Sequence, residues 1–371
     1  MKKIIHFHPS SIYSEYFVTP LIESERRLGY EVTLVNSSNS KSTQINSNFV
    51  RKFIRFDLNL KNLLLLPLSF IKTLHLIKNI KPTYVISHNT RSSLIPLLAG
   101  KIYGNTKLIY FNHGVSYLGH KGIIRYILQL IEYLNCNIAD NIITVSGHSK
   151  QELLKLTMTN ISVIENGSAC GIDFKIFSKK NIILKDEIKQ LKNNNDFLIA
   201  FIGRPEKRKG FIFVLELWEK FFIDEQRMKL ILCGANIDTN KYLKKPAKNI
   251  INMGNTDKIP EILSLSDCLI LPSLHEGLPY SILEAMAMEC PVIANNIPSI
   301  SAQIINKKNG YLIDGHNHKK YFKKINFIKD KSNVKTIKKI TDNALIDAKK
   351  FDRSKFLIDY NKKIKSILNG N

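Results

Sequence analysis

Acidic residues, cysteine and long apolar runs are what this chain is short of. Asp and Glu number 31 against 55 Lys and Arg, leaving a formal net charge of +24 over 371 residues. Such an imbalance favours anionic partners: nucleic acid, an acidic membrane surface or a phosphorylated substrate. It does not choose among them, because Lys, Asn and Ile are abundant throughout and a drift in proteome composition yields the same charge. The five cysteines (Cys136, Cys170, Cys233, Cys268, Cys290) are odd in number and include no C-x-x-C spacing. That excludes a disulfide framework or a zinc site and leaves buried thiols as the expectation. Ile4 and Ile5 are interrupted at once by His6, His8 and Ser10, too soon for a signal segment. The most apolar stretch, residues 63–76, contains Pro67, Lys72 and His75 and falls short of the ~20 apolar residues that span a bilayer. A cytoplasmic chain, not integral to a membrane, is expected. There is also no Asp-x-Asp metal motif.

What is present is a regular alternation. Short β-branched or aromatic runs at residues 3–7, 31–35, 84–87, 108–111 and 142–145 read as strands. Helical patterns lie between them, at 19–28, 123–134 and 150–156. After an irregular polar link from about residue 165 to 195 the rhythm restarts. Strands are expected at 197–202, 229–233, 250–253, 268–271 and 291–294, and helices at 211–222, 259–265 and 281–288. Two α/β units in series follow, each a doubly wound parallel sheet covered on both faces. The expected boundaries are 1–170 and 171–345, with 346–371 a terminal helix crossing back to the first unit.

Ligands of such sheets bind at the carboxyl ends of strands, and two constellations fall there. One is Leu271-Pro-Ser-Leu-His-Glu-Gly-Leu-Pro-Tyr-Ser-Ile-Leu-Glu, where a strand ends, a glycine loop follows and a helix starts near Tyr280. Backbone N–H groups at a helix start suit a diphosphate. Glu276 and Glu284, eight residues apart, offer two carboxylates for two hydroxyl-bearing parts of one ligand. Glu284 lies in an otherwise apolar run, where an unpaired carboxylate is costly. The other is Phe201-Ile-Gly-Arg-Pro-Glu-Lys-Arg-Lys-Gly, ending the second unit's first strand. Gly203 permits a tight turn, and Arg204 and Lys209 offer a fork and a point charge to phosphate oxygens.

These segments, with Val145-Ser146, the 163–167 and 171–173 junction and the Gly310-Tyr-Leu segment, resemble family 4 glycosyltransferases of the GT-B fold. That fold has two Rossmann-like domains facing a cleft. The junction resembles members that build bacterial surface polysaccharides, including lipopolysaccharide and O-antigen, or lipid-linked oligosaccharides. The resemblance implies roles residue by residue. Glu276 would hold sugar hydroxyls, Glu284 the ribose hydroxyls, and Arg204 and Lys209 the diphosphate. The backbone of Gly277, Leu278, Pro279 and Tyr280 would complete that cradle, and the loop at Gly254 would touch the base. His113, in Phe111-Asn-His-Gly, resembles a family histidine near the donor sugar. The family transfers sugar with retention and needs no metal, so no cofactor is expected beyond the nucleotide-diphosphate sugar that serves as donor substrate. The resemblance leans to UDP and to a hexose or N-acetylhexosamine. The loop after the first strand, Pro9-Ser10-Ser11, lacks the glycines that many relatives carry.

The implied acceptor is a lipid-linked or free oligosaccharide. Residues 63–80 and 123–134, with Lys61, Lys72, Lys78, Lys121 and Arg125, read either as helices docking on an anionic membrane surface or as ordinary core-facing helices. Nucleic-acid binding is not expected, since no helix-turn-helix, zinc motif or RNA-binding aromatic set is present. A GT-B epimerase is disfavoured by the two acids with their basic loop, and a catalytically silent partner subunit by the intact Arg204, Lys209, Glu276 and Glu284. His6 and His8 share a strand face, without an acidic or cysteine cluster that would suggest metal.

Overall fold

Strand runs that are apolar almost throughout demand cover on both faces, and two parallel sheets supply it. The computed structural model describes residues 1–38, 49–58, 64–234 and 236–368. Lys61 and Leu63 of the expected basic helix lie outside the described residues. The chain divides into two units, Met1–Gly171 with the terminal helix from Arg353, and Ile172–Asp352.

In the first unit the order is β1 (Lys3–Ser10), α1 (Ser11–Phe17), α2 (Thr19–Arg27), β2 (Glu31–Ser38), β3 (Val50–Phe53), α3 (Leu66–Ile80), β4 (Tyr84–His88), α4 (Thr90–Tyr103), β5 (Lys107–Asn112), α5 (Gly122–Ile138), β6 (Asn141–Thr144), α6 (Gly147–Leu153) and β7 (Ile161–Val163). The sheet runs β3-β2-β1-β4-β5-β6-β7, and every pairing is parallel. In the second unit follow α7 (Asp186–Lys189), β8 (Phe197–Ile202), α8 (Phe211–Phe221), β9 (Met228–Cys233), β10 (Ile250–Gly254), α9 (Ile259–Leu265), β11 (Cys268–Leu271), α10 (Tyr280–Ala287), β12 (Val292–Asn295), α11 (Pro298–Ser301), β13 (Tyr311–Ile313), α12 (His318–Lys329) and α13 (Val334–Ala348). Its sheet runs β10-β9-β8-β11-β12-β13, again parallel. Both sheets therefore reverse direction beside their first strand, between β1 and β4 and between β8 and β11. Ligand crevices open at such reversals.

The return to the first unit comes later than residue 346. α13 stays in the second unit because Ile340, Ala344 and Ala348 are buried there. The returning helix is α14 (Arg353–Leu368), which buries Phe356, Tyr360, Ile364 and Ile367 at helical spacing. Tyr360 Oη donates to Glu25 Oε1 at 2.6 Å and Asn361 Nδ2 donates to Ser24 Oγ at 2.6 Å, tying α14 to α2.

α5 inverts the usual arrangement. It buries Leu128, Glu132, Asn135 and Cys136, while Ile123, Ile124, Tyr126, Ile127, Leu130 and Tyr133 are exposed, Ile123 by 71%. The reason is polar. Glu132 accepts hydrogen bonds from Thr90 Oγ1 at 2.6 Å, Tyr110 Oη at 2.6 Å and Asn112 Nδ2 at 2.8 Å. Asn135 Nδ2 donates to the Thr90 carbonyl at 2.8 Å. Turning this face outward would strand those partners unpaired. Asn112 Oδ1 in turn accepts from Gly114 N at 2.9 Å, which fixes the turn that carries His113.

Burial pushes the Glu132 carboxyl up to about 7, against the pull of its three donors. The folded protein then keeps a proton that the unfolded chain has released between about pH 4.5 and 7. Stability from this group is full below the lower value and is lost as the pH rises through the upper one, a swing on the order of 3 kcal/mol. Urea unfolding of wild type and Glu132→Gln from pH 4.5 to 8 should show this falling component in wild type only. Parallel curves would refute it.

Candidate active site

The second sheet's reversal lies between β8 and β11, and both motif loops leave from there. After β8 the chain passes Gly203 and Arg204 into a short 3₁₀ turn, Lys207–Lys209, then Gly210 at φ +77° opens α8. After β11 it passes Pro272, Ser273 and Glu276 to Pro279, the cap of α10. The loops are bound together: Leu274 N donates to the Arg208 carbonyl at 2.7 Å. A Cβ on Gly210 would stand 2.3 Å from the Pro272 carbonyl oxygen, so this approach needs glycine on both conformational and steric grounds. That same carbonyl lies 2.7 Å from His316 Nε2.

The outcome of this packing is one ion pair. Lys209 Nζ donates to both oxygens of Glu276 at 2.7 Å each. Glu276 is only 6% exposed, and Ser273 Oγ donates to its Oε1 at 2.7 Å. Asn295 Nδ2, at the end of β12, holds the Ser273 carbonyl at 3.0 Å. Arg204, half exposed, does not join this pair. Its Nη1 lies 2.9 Å from Glu206 Oε1, and Arg208 Nε donates to Glu206 Oε2 at 2.6 Å. Four cations thus crowd the loop, Arg204 through Lys209, against the carboxylates of Glu206 and Glu276.

The other expected site residues are distributed over both units. Gly277, Leu278 and Pro279 form the approach to α10, and Tyr280 is its first residue. Glu284 is buried within α10. Gly254 ends β10 at φ +62°, where a Cβ would meet Asn236 Oδ1 at 1.9 Å. In the first unit, His113 follows β5 and its Nε2 lies 2.9 Å from His88 Nδ1 at the end of β4.

Comparison with known proteins identifies the family and the fold. The family described as Glycosyltransferase Family 4 matches residues 14–168, and the one described as Glycosyl transferases group 1 matches residues 183–345. The chain belongs to the family 4 glycosyltransferases of group 1. A capsular polysaccharide biosynthesis glycosyltransferase of Staphylococcus aureus is 26% identical over 85% of each chain. A UDP-Gal:α-D-GlcNAc-diphosphoundecaprenol α-1,3-galactosyltransferase of Escherichia coli is 26% identical over 66% of each. Among solved structures, Anabaena HepE in complex with UDP and glucose aligns with a TM-score of 0.78 at 16% identity, over 99% of this chain and 100% of that one. The fold is GT-B.

Sequence reasoning for this glycosyltransferase missed Ser273 and Asn295, although Ser273 lies inside the motif itself. It also missed His88, whose only signal was a histidine ending a strand run.

Removing Lys209 alone would leave the Glu276 carboxylate buried and uncompensated. Lys209→Ala should therefore cost about 3 kcal/mol of stability, and adding Glu276→Ala should recover part of it. Urea midpoints of both single variants and the double measure this coupling. Simply additive losses would show that there is none.

Proposed function

We propose that this glycosyltransferase is a retaining, metal-independent enzyme. It moves a hexose or N-acetylhexosamine from a UDP-sugar to a glycan hydroxyl on a polyprenyl-diphosphate-linked acceptor during surface polysaccharide synthesis. The observation that carries the reading is the buried Lys209–Glu276 pair at the sheet reversal. An ammonium has three donors. Two aim at Glu276, and the third suits a phosphate oxygen, with Arg204 offering its fork alongside. As the anomeric carbon–phosphate bond breaks, negative charge grows on the diphosphate and these cations stabilise it. The carbon gains oxocarbenium character. The departing phosphate oxygen then takes the acceptor hydroxyl's proton while the acceptor oxygen bonds the anomeric carbon on the same face, which gives retention. Glu276 orients the sugar hydroxyls, Glu284 holds the ribose, and the Gly254 loop meets the base. His113 is assigned to a carbohydrate hydroxyl.

The relatives support the donor and acceptor classes. One is named for transfer from UDP-Gal to a diphosphoundecaprenol-linked sugar, another for capsular polysaccharide, and the Anabaena structure holds UDP and glucose. A lipid-linked acceptor stays in its bilayer, so the enzyme must come to it. Among the described residues no helix is long and apolar enough to cross a membrane. The outward apolar residues of α5, with exposed Lys121 and Arg125 beside them, suit docking on an anionic surface instead. Lys72 and Lys78 of α3 add further exposed charge beside Leu68 and Ile71.

Two measurements test this reading. With a panel of UDP-sugars, wild type should release UDP and conserve the anomeric configuration in product, while Glu276→Ala and Lys209→Ala should lose at least about a hundredfold in kcat/KM. Equal rates in all three would overturn the site, and an inverted product or an epimerised donor would overturn the reaction. Separately, the protein should sediment with anionic vesicles at low salt and not with neutral ones. Ile124→Glu/Ile127→Glu should abolish this. Sedimentation that ignores both lipid charge and the double variant would refute docking through α5.

A further inference from the structure

A line of buried polar side chains crosses the first unit and ends at His113. Glu25 on α2 accepts from Tyr360 at one oxygen, and its Oε2 lies 2.8 Å from His6 Nε2. His6 Nδ1 lies 3.0 Å from His88 Nε2, and His88 Nδ1 lies 2.9 Å from His113 Nε2. Glu25, His6 and His88 are fully buried, whereas His113 is partly exposed. The strands explain the line: β1, β4 and β5 are consecutive neighbours, so His6 within β1, His88 ending β4 and His113 just after β5 fall side by side. The nitrogens face one another in series. Among the described residues no group of three or more His, Cys, Asp or Glu is arranged to hold a metal ion.

Each nitrogen–nitrogen contact needs one donor and one lone pair. An ionised Glu25 only accepts, so His6 presents Nε2–H to it. With its single proton on Nε2, His6 has a lone pair at Nδ1, and His88 then donates from Nε2. The same step repeated makes His113 donate from Nε2 and leaves its Nδ1 bare. At the outer two rings burial and the neighbouring histidines favour the neutral form, pushing His113 down to about 3 and His88 well below its ordinary value. His8, whose Nδ1 lies 2.9 Å from the Ser10 carbonyl, stands beside the line without joining it, and its ring is 6.1 Å from that of His113.

We propose that Glu25, His6 and His88 are positioning residues that lock His113 in one tautomer, Nε2–H toward His88 and Nδ1 bare. His113 then accepts a hydrogen bond from a carbohydrate hydroxyl and rejects a phosphate oxygen, which has no proton to give. The identity of that hydroxyl rests on the donor reading above; the tautomer does not.

Protein labelled with ¹⁵N in its ten histidines alone tests this by long-range ¹H–¹⁵N correlation at pH 7.5, with signals assigned through His113→Gln and His88→Gln. The free protein should show His6, His88 and His113 as neutral Nε2–H rings. Nδ1–H, a doubly protonated ring or a tautomer mixture at His113 would overturn the lock. UDP-glucose and UDP-N-acetylglucosamine should be compared with UDP: a sugar nucleotide that binds should shift His113 Nδ1, and UDP should not. Binding of a sugar nucleotide without that shift would overturn the hydroxyl assignment while the tautomer result stands. Glu25→Gln should release His113 into a mixture and lower kcat/KM about tenfold, the scale on which such outer partners act. Tyr360→Phe, which keeps the carboxylate, should preserve the tautomer. A His113 signal indifferent to Glu25→Gln would refute transmission along the line, and wild type and Tyr360→Phe keep the question open to measurement if that variant fails to fold.

Discussion

A parallel sheet covered on both faces has no room for chemistry along its strands. β4, β8, β11 and β12 are buried from end to end or nearly so, and polar groups within them must find partners inside the protein. Functional side chains are thereby driven to the carboxyl ends, and the reversal of strand order decides which ends become neighbours. In the second sheet this sets the loop after β8 against the loop after β11, and Lys209 meets Glu276. In the first it aligns His6, His88 and His113 on three adjacent strands. One topological rule, applied twice, accounts for both clusters.

The same rule explains what could be read from residues alone. Phe197–Ile202, Ile259–Leu265 and Cys268–Leu271 stand where the apolar runs put them, because buried strands and short helices announce themselves by composition. Ile161–Val163 and Tyr311–Ile313 are too short to show a period, and Val50–Phe53, with Arg51 and Lys52 at its centre, carries no apolar run. α4 carries Pro96 in its interior, which reads as a break. The motif residues Arg204, Lys209, Glu276 and Glu284 were legible because each belongs to a local pattern. The histidine line was not, since its contacts span 19, 82 and 25 residues of sequence and depend on a strand order that no local pattern encodes. α5 was open between a core-facing and an outward apolar face, and the hydrogen bonds of Glu132 and Asn135, which no local pattern shows, turn the apolar face out.

The chain's large positive charge is only partly a property of the candidate site. In the loop after β8, Arg204 and Arg208 are held by Glu206 and Lys209 by Glu276, and toward the C-terminus Lys350 pairs with Asp347 and Lys362 with Asp359 one turn away. Such exposed pairs contribute little to stability. The net excess acts at longer range, over roughly a Debye length of about 8–10 Å, where it can draw in anionic partners without choosing one. Selection therefore has to come from the buried groups.

Those buried groups differ in kind between the two units. Glu25 and Glu132 lie in the first unit with hydroxyl, amide and imidazole groups on their oxygens, Tyr360 and His6 for one and Thr90, Tyr110 and Asn112 for the other, and with no lysine or arginine. Glu276 lies in the second with an ammonium on both oxygens. A carboxylate satisfied by such groups orders hydroxyls, amides and imidazoles around it and leaves no spare cation for a phosphate. A carboxylate paired to lysine keeps a cation in a mostly buried place, where its field is least screened. The first arrangement suits recognition of uncharged hydroxyl-bearing ligands and the second suits a diphosphate. Exchanging the two would take the buried cation out of the second unit and leave the proposed diphosphate contact without its counter-charge. The division of polar chemistry between the units thus follows from whatever donors each sheet reversal brings together.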